Sequence, residues 1–270
     1  MSAVSGMARG VVSGDDRGLA YGDGLFETLR VTAQGTVPLW PRHRARLQAG
    51  AARLGIPVTA RALERGLADT LTGAGAGVAK LILTRGAGGR GYLPPASPRP
   101  ALVTRFGPLP AWSATDRRRG IETGLCRVVL GDDPLAGIKH LNRLSQVLAR
   151  QEVAAQGWQE GILLNGHRQP VEATAMNLFA LFGDTLWTPS LERAGVAGIA
   201  RGWLLEHAGT RGLRVKVTAW PLSRLLAADG VFLANSVVGV LPVRKLAQWS
   251  WPVPDPILGL QADLEALFQT

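Results

Sequence analysis

The hydrophobic and polar positions divide the chain into segments of different period. After the glycine turn "GLAYGDG", the stretch to residue 35 reads as a strand. Residues 41–56 place His43, Leu47, Ala51 and Leu54 at three- and four-residue steps. This spacing predicts a helix, with Pro41 in its first turn. A second helix is predicted over 61–75, closed by glycine, and strands over 78–86 and 101–108. The polar run 109–120 predicts a connector between domains. Beyond it come a strand over 121–130, the loop "GDDPLAG", and a helix from about His140 to Gln156 that buries Leu141, Leu144, Leu148 and Val153. "GILLNG" and "ATAMNLFALFGDTLWTP" read as antiparallel strands turning at Asn165-Gly166 and Gly183-Asp184. A glycine turn opens a helix over 194–208. "LRVKVTAW", "PLSRLLAAD" and 230–246 follow as strand, short helix and strand region, and "PILGLQADLEALFQ" as a last helix. Hairpins with interspersed helices predict an α+β fold rather than a uniform βαβ series, and no internal repeat is visible. The division expected is a smaller α/β domain over 1–110, a connector over 111–118, and a larger domain over 119–270.

Composition narrows the class. Hydrophobic content of 46% with 19% charged residues fits an ordinary globular protein. One cysteine, Cys126, excludes an intramolecular disulfide and suits a reducing cytoplasm. The first sixteen residues contain no apolar leader, and no apolar run is long enough to span a bilayer, so neither secretion nor a membrane is expected. His43, His140, His167 and His207 lie far apart, so no metal site is expected. The net charge of +10 raises nucleic-acid binding as an alternative. The arginines are scattered and only two tyrosines are available for stacking, which favours a solvated basic surface with a site for a small anion.

"GAGGRG" (86–91) satisfies G-x-G-x-x-G, but "YLPPASPRP" follows, and its prolines forbid the helix that a dinucleotide fingerprint needs. The segment reads as a glycine hairpin, or as a loop that carries Arg90 and Tyr92 toward a ligand. More telling is the scarcity of lysine. The chain has 26 Arg and only four Lys, at 80, 139, 216 and 245. A guanidinium stays protonated at any working pH, whereas an amine can lose its proton and act as nucleophile or base. Lys80 and Lys216 sit in alternating strands, and Lys245 at a strand end beside Arg244. Lys139, between Ile138 and the predicted helix start, is the candidate reactive amine. The helix dipole and partial burial both disfavour its ammonium form. The alternative is a helix-start lysine that reaches water.

A reactive lysine needs a carbonyl partner, and pyridoxal 5′-phosphate (PLP) also needs a phosphate cup and a group facing its pyridine nitrogen. "GVAGIAR" (195–201) is a glycine turn opening a helix, which presents backbone N–H groups to an anion. Asn235-Ser236 can add a hydroxyl, and Glu172 can hold a proton on the ring nitrogen.

Taken together, "GDGLFETLRV", "RHRARL", "TRGAGGRGY", "GIKHLNRLSQVL", "VEATAMNLF", "AGVAGIAR" and "FLANSVVGVLPV" resemble, in order and spacing, the fold-type IV PLP enzymes: branched-chain aminotransferases, D-amino acid aminotransferases and aminodeoxychorismate lyases. "RGAGGRGY" and "IKHLNRLSQVLAR" are most similar to the lyases. The resemblance implies two domains, the larger one carrying pseudo-barrel strands and the cofactor lysine, and a cytoplasmic homodimer. It implies that Lys139 joins the cofactor as an imine and that Glu172 faces the pyridine nitrogen. Arg46, the backbone of Ile199 and Ala200, and Asn235 and Ser236 would hold the phosphate. Many relatives have Thr where Ala200 stands, so one hydroxyl contact is missing here. Phe26 and Thr28 match positions that line the pocket. Arg90 and Tyr92 match loop positions that reach the substrate carboxylate, and Arg105 is a further basic candidate. The implied reaction converts 4-amino-4-deoxychorismate to 4-aminobenzoate and pyruvate. The alternative with the same apparatus is transamination of D-amino or branched-chain amino acids, because fold and cofactor do not fix the outcome.

Overall fold

The alternating run at 24–31 folds as a strand in which every second side chain is buried, and the computed structural model describes residues 7–9 and 12–269. The expectation of no apolar leader falls partly on residues outside this range. Two compact units emerge. One comprises the described residues up to Leu109 with Ile138–Asn142 and residues 268–269; the other comprises Pro110–Gly137 and Arg143–Leu267.

The first unit contains β1 (Met7–Arg9), α1 (Arg17–Tyr21), β2 (Gly24–Val31), α2 (Trp40–Leu54), α3 (Ala60–Leu71), β3 (Gly77–Thr84) and β4 (Ala101–Gly107). The sheet is antiparallel, in the order β1-β4-β3-β2. Leu29, Val31, Ala79 and Leu81 from one sheet face pack with Leu67 of α3. Leu81→Ala would cost about 2–5 kcal/mol, because the cavity left by a fully buried leucine only partly collapses. α2 has Pro41 in its first turn and stops at Gly55, whose left-handed φ of 65° lets its N–H cap Ala51 and Ala52 carbonyls. "GAGGRG" lies in the connection between antiparallel strands β3 and β4, with no helix after it, so it has no dinucleotide-binding context.

The second unit contains α4 (Ala114–Arg119), β5 (Ile121–Leu130), α5 (Leu144–Ala155), β6 (Glu160–Asn165), β7 (Pro170–Ala173), β8 (Asn177–Phe182), β9 (Thr185–Thr188), α6 (Ile199–His207), β10 (Arg214–Val217), α7 (Leu222–Leu226), β11 (Gly230–Asn235), β12 (Gly239–Leu246), β13 (Trp249–Ser250) and α8 (Asp255–Ala266). Its sheet runs β10-β9-β8-β11-β12-β5-β6-β7, and β7 pairs back onto β8 through Glu172 and Asn177, closing six strands into a ring. The whole of β6 and nearly all of β8 and β11 are buried, which is why these strands read as continuous apolar runs. Phe179 and Phe232 stack at 4.7 Å between ring centroids.

Four expectations need correction. The helix expected from His140 starts at Leu144, because 138–142 is extended against β2: Phe26 N–H donates to the Lys139 carbonyl (3.0 Å) and Leu141 N–H to that of Gly24 (3.0 Å). Strand-like pairing satisfies this backbone and overrides the helical spacing, so Lys139 does not stand at a helix N-terminus. The segment also groups with the first unit, not with the 119–270 region to which the sequence assigns it. Leu144 and Leu148 are 77% and 56% exposed; α5 buries Ala149 and Val153 instead. The connector contains α4, started by Ser113 and Asp116, each accepting from the other's backbone N–H.

Candidate functional site

Residues 26, 27 and 28 of β2 point to alternate faces of the first unit's sheet. On one face Phe26 meets two amines: Lys139 Nζ lies 4.2 Å and Lys80 Nζ 4.8 Å from its ring centroid. Thr28, Lys80 and Arg105 stand side by side across β2, β3 and β4. Partial burial, and then repulsion from Arg105, pull the Lys80 amine below its ordinary value. Four candidates from the sequence, Phe26, Thr28, Arg105 and Lys139, are thus joined by Lys80, which sequence reasoning left as an ordinary strand residue. Its signal was the same as that of Lys139, a lysine kept in an arginine-using chain, but only strand register shows its neighbours.

The opposite face holds Glu27, which is fully buried. Arg46 grips it in bidentate fashion (Nε–Oε1 2.8 Å, Nη2–Oε2 2.5 Å), and His43 Nδ1 lies 2.6 Å from Oε2. Burial pushes the Glu27 carboxyl up, but Arg46 and His43 outweigh it and hold the group below its ordinary value. His43 is pulled down by burial, which outweighs Glu27. The imidazole is therefore neutral and donates from Nδ1. Its Nε2 is buried with no hydrogen-bond partner. Arg46 is thus fixed by a carboxylate two strand positions from Leu29 and one from Phe26.

Arg90 and Tyr92 lie on the 86–100 loop between β3 and β4. Both are exposed, and the Tyr92 ring meets Tyr21 edge-on at 5.5 Å.

In the second unit Glu172 is buried on β7. Its Oε2 accepts from Val196 N–H (2.9 Å), and Gln146 Nε2 lies 3.4 Å from Oε1. Gly195, at φ 92°, lets the turn pass: a Cβ there would come within 3.1 Å of Glu172 Oε2. A Cβ at Gly198 would sit 1.9 Å from Asn177 Oδ1, so only glycine fits. Gly198 is the N-cap of α6, and no side chain caps the first turn formed by buried Ile199 and Ala200. The turn is also tied to the chain before the lysine segment, since Gly137 N–H donates to Gly195 (2.9 Å) and Ala197 N–H to Gly137 (3.0 Å). Asn235 uses its side chain structurally: Oδ1 accepts from Val237 and Val238 N–H (2.9 and 2.7 Å), and Nδ2 donates to Ala175 (3.1 Å). Ser236 follows, buried, in the β11–β12 turn.

Three comparisons bear on this geometry. The model of the family "Amino-transferase class IV" matches residues 24–246. An aminodeoxychorismate lyase of Vibrio harveyi is 34% identical over 270 residues, 99% of each chain. A D-alanine aminotransferase of Listeria innocua is 29% identical over 242 residues, 86% of this chain and 81% of that one. Among solved structures, the 4-amino-4-deoxychorismate lyase of Pseudomonas aeruginosa superposes with a TM-score of 0.93 at 43% identity, covering 98% of this chain and all of the other.

Proposed function

The chain belongs to the amino-transferase class IV family, and on that premise we propose that it is a PLP-dependent lyase converting 4-amino-4-deoxychorismate to 4-aminobenzoate and pyruvate. The observation that carries this is the full-length likeness to two lyases, at 34% and 43% identity.

The residues present fit the cofactor. Glycines 195 and 198 let the turn that opens α6 pass close against Glu172 and Asn177, and the α6 first turn beyond them has no side-chain cap. Lys139 would hold the cofactor through its amine, Glu172 its pyridine nitrogen, and Arg46, the Ile199 and Ala200 backbone, Asn235 and Ser236 its phosphate. The Asn235 contribution is to shape the turn that presents Ser236, since its own side chain is spent on Val237, Val238 and Ala175. When bound, PLP supplies an aldehyde for the substrate amine and a protonated ring that withdraws electrons from the reacting carbon.

The chain's own groups then have distinct tasks. Lys139 Nζ takes the proton from the substrate carbon that bears the amine. The Glu172 carboxylate keeps a proton on the ring nitrogen, stabilising the charge that develops. Lys80, Arg105 and Arg90 give the two substrate carboxylates cationic partners, with Phe26, Thr28 and Tyr92 orienting the ring. Loss of the enolpyruvyl group leaves an aromatic ring, which makes the elimination strongly downhill.

A homodimer is part of the same proposal. Leu144, Val147 and Leu148 on successive turns of α5 give an exposed apolar strip suited to a second copy. A cytoplasmic location belongs to the same proposal and is compatible with the single cysteine, Cys126, a buried free thiol. No helix among the described residues is long and apolar enough to cross a membrane.

The deciding experiment is product analysis with 4-amino-4-deoxychorismate alone. Pyruvate and 4-aminobenzoate are expected without any keto-acid acceptor. A requirement for 2-oxoglutarate or pyruvate as acceptor would make the protein an aminotransferase.

A further inference from the structure

The loop after β3 is poorly suited to hold a shape by itself. Glycines stand at 86, 88, 89 and 91, and glycine loses more backbone freedom on ordering than any other residue. The loop is nevertheless tied at its base and near its tip by the segment around α1. At the base, Arg17 N–H donates to the Gly86 carbonyl (3.0 Å) and Gly88 N–H to that of Asp15 (3.2 Å). Gly86, at φ 85°, passes so close to the returning chain that a Cβ would lie 1.8 Å from the Arg99 carbonyl oxygen.

Near the tip one side chain does the work. The Arg17 guanidinium is buried under the loop. Nη1 donates to the carbonyls of Gly91 (3.0 Å) and Leu93 (3.5 Å), and Nη2 to that of Tyr92 (2.8 Å). Nε is paired with Asp23 Oδ2 at 2.9 Å, and the group lies 4.9 Å from the Tyr21 ring centroid. Asp23 is fixed in turn by buried Arg85, which also donates to the Leu54 and Gly55 carbonyls at the end of α2 (2.6 and 2.9 Å). A planar fork with five donors can serve three consecutive carbonyls and a carboxylate together; a lysine ammonium cannot. Because Arg17 binds the loop only through its main-chain oxygens, it fixes the path of the loop while Tyr92 stays 85% exposed and Arg90 also faces outward.

We infer that Arg17 is a positioning residue, whose buried guanidinium orders the 91–93 backbone and so presents Arg90 and Tyr92 to the carboxylates of the substrate. This rests on the lyase proposal above. It adds a residue outside the candidate set, one that touches neither substrate nor cofactor.

The test uses the PLP-loaded enzyme with Arg17→Lys and, separately, Gly88→Ala. The second variant keeps Arg17 but displaces it, because a Cβ at 88 would stand 2.6 Å from Arg17 Cδ. Hydrogen–deuterium exchange over 86–93, cofactor absorbance, and KM and kcat for 4-amino-4-deoxychorismate are measured for each. Both variants are expected to exchange at least about tenfold faster over 86–93 and to raise KM about tenfold, with kcat within about twofold and absorbance retained. Exchange equal to wild type in either folded variant overturns the inference, as does faster exchange with KM unchanged. Should Arg17→Lys fail to fold, Gly88→Ala decides alone. A wild-type enzyme that forms no pyruvate, with exchange still accelerated in the variants, would sink the lyase proposal and leave the ordering role of Arg17 standing.

Discussion

The two faces of β2 carry charge in opposite ways. On one, Glu27 is answered by the Arg46 guanidinium and the His43 ring, so the charges cancel within the protein. On the other, Lys139 and Lys80 crowd the Phe26 ring, and Arg105 beside Lys80 adds repulsion. Successive residues of one strand therefore serve different ends. A buried face whose charges balance holds Arg46 in place for the phosphate role proposed for it, and on the same proposal the face where like charges gather would receive an anion from outside.

Substitutions on each face should separate these ends. The largest effect is expected at Lys139. Lys139→Ala should abolish turnover with the thermal midpoint little changed, and Lys139→Arg should be no better, since a guanidinium does not give up its proton at neutral pH. Substantial pyruvate release by either variant would remove Lys139 from its role. Glu27→Gln comes next, on the balanced face. Breaking a buried ion pair from one side should cost about 3 kcal/mol of unfolding free energy, read by urea titration. A loss near zero would mean that the pair contributes nothing net. Lys80→Met should raise KM about tenfold while leaving stability equal or higher, because it relieves repulsion with Arg105. A marked loss of stability at unchanged KM would place Lys80 among the structural residues.

The smallest effect concerns pH. His43 has a folded-state value below its ordinary 6.5, so the unfolded chain binds the proton first. Its contribution is complete above 6.5 and is lost as pH falls below it, by no more than about 1.4 kcal/mol per pH unit. Glu27, also lowered, adds a second loss in the more acidic range below its ordinary 4.5. His43→Gln should flatten the upper part of this dependence only, and an unchanged slope there would show that another group titrates.

Much of this contrast was readable in the chain. The glycine turn before the strand that runs to residue 35, and the strand over 78–86, located β2 and β3, and the three- and four-residue spacing of His43, Leu47 and Ala51 located α2 and its buried side. The scarcity of lysine singled out Lys139. What failed was information that lies in pairing. The row Thr28, Lys80 and Arg105 exists only through register across three strands. The start of α5 was misjudged because Leu141 continues a helical spacing that its backbone, bonded to Gly24, does not follow. α4 is short and buries no side chain, so hydrophobic period could not find it, although Ser113 and Asp116 marked its start. Arg17 gave no signal, since its role depends on a turn that brings residues 91–93 over it.

The ring of six strands in the second unit is sealed at one place by the Glu172–Asn177 pair, on a strand of only four residues. A cylinder with so narrow a join parts most readily there, and the join coincides with the carboxylate assigned to the cofactor nitrogen. Occupancy by the vitamin B6 ring would therefore act as a rivet as well as a reagent, and the empty protein should loosen first along that line.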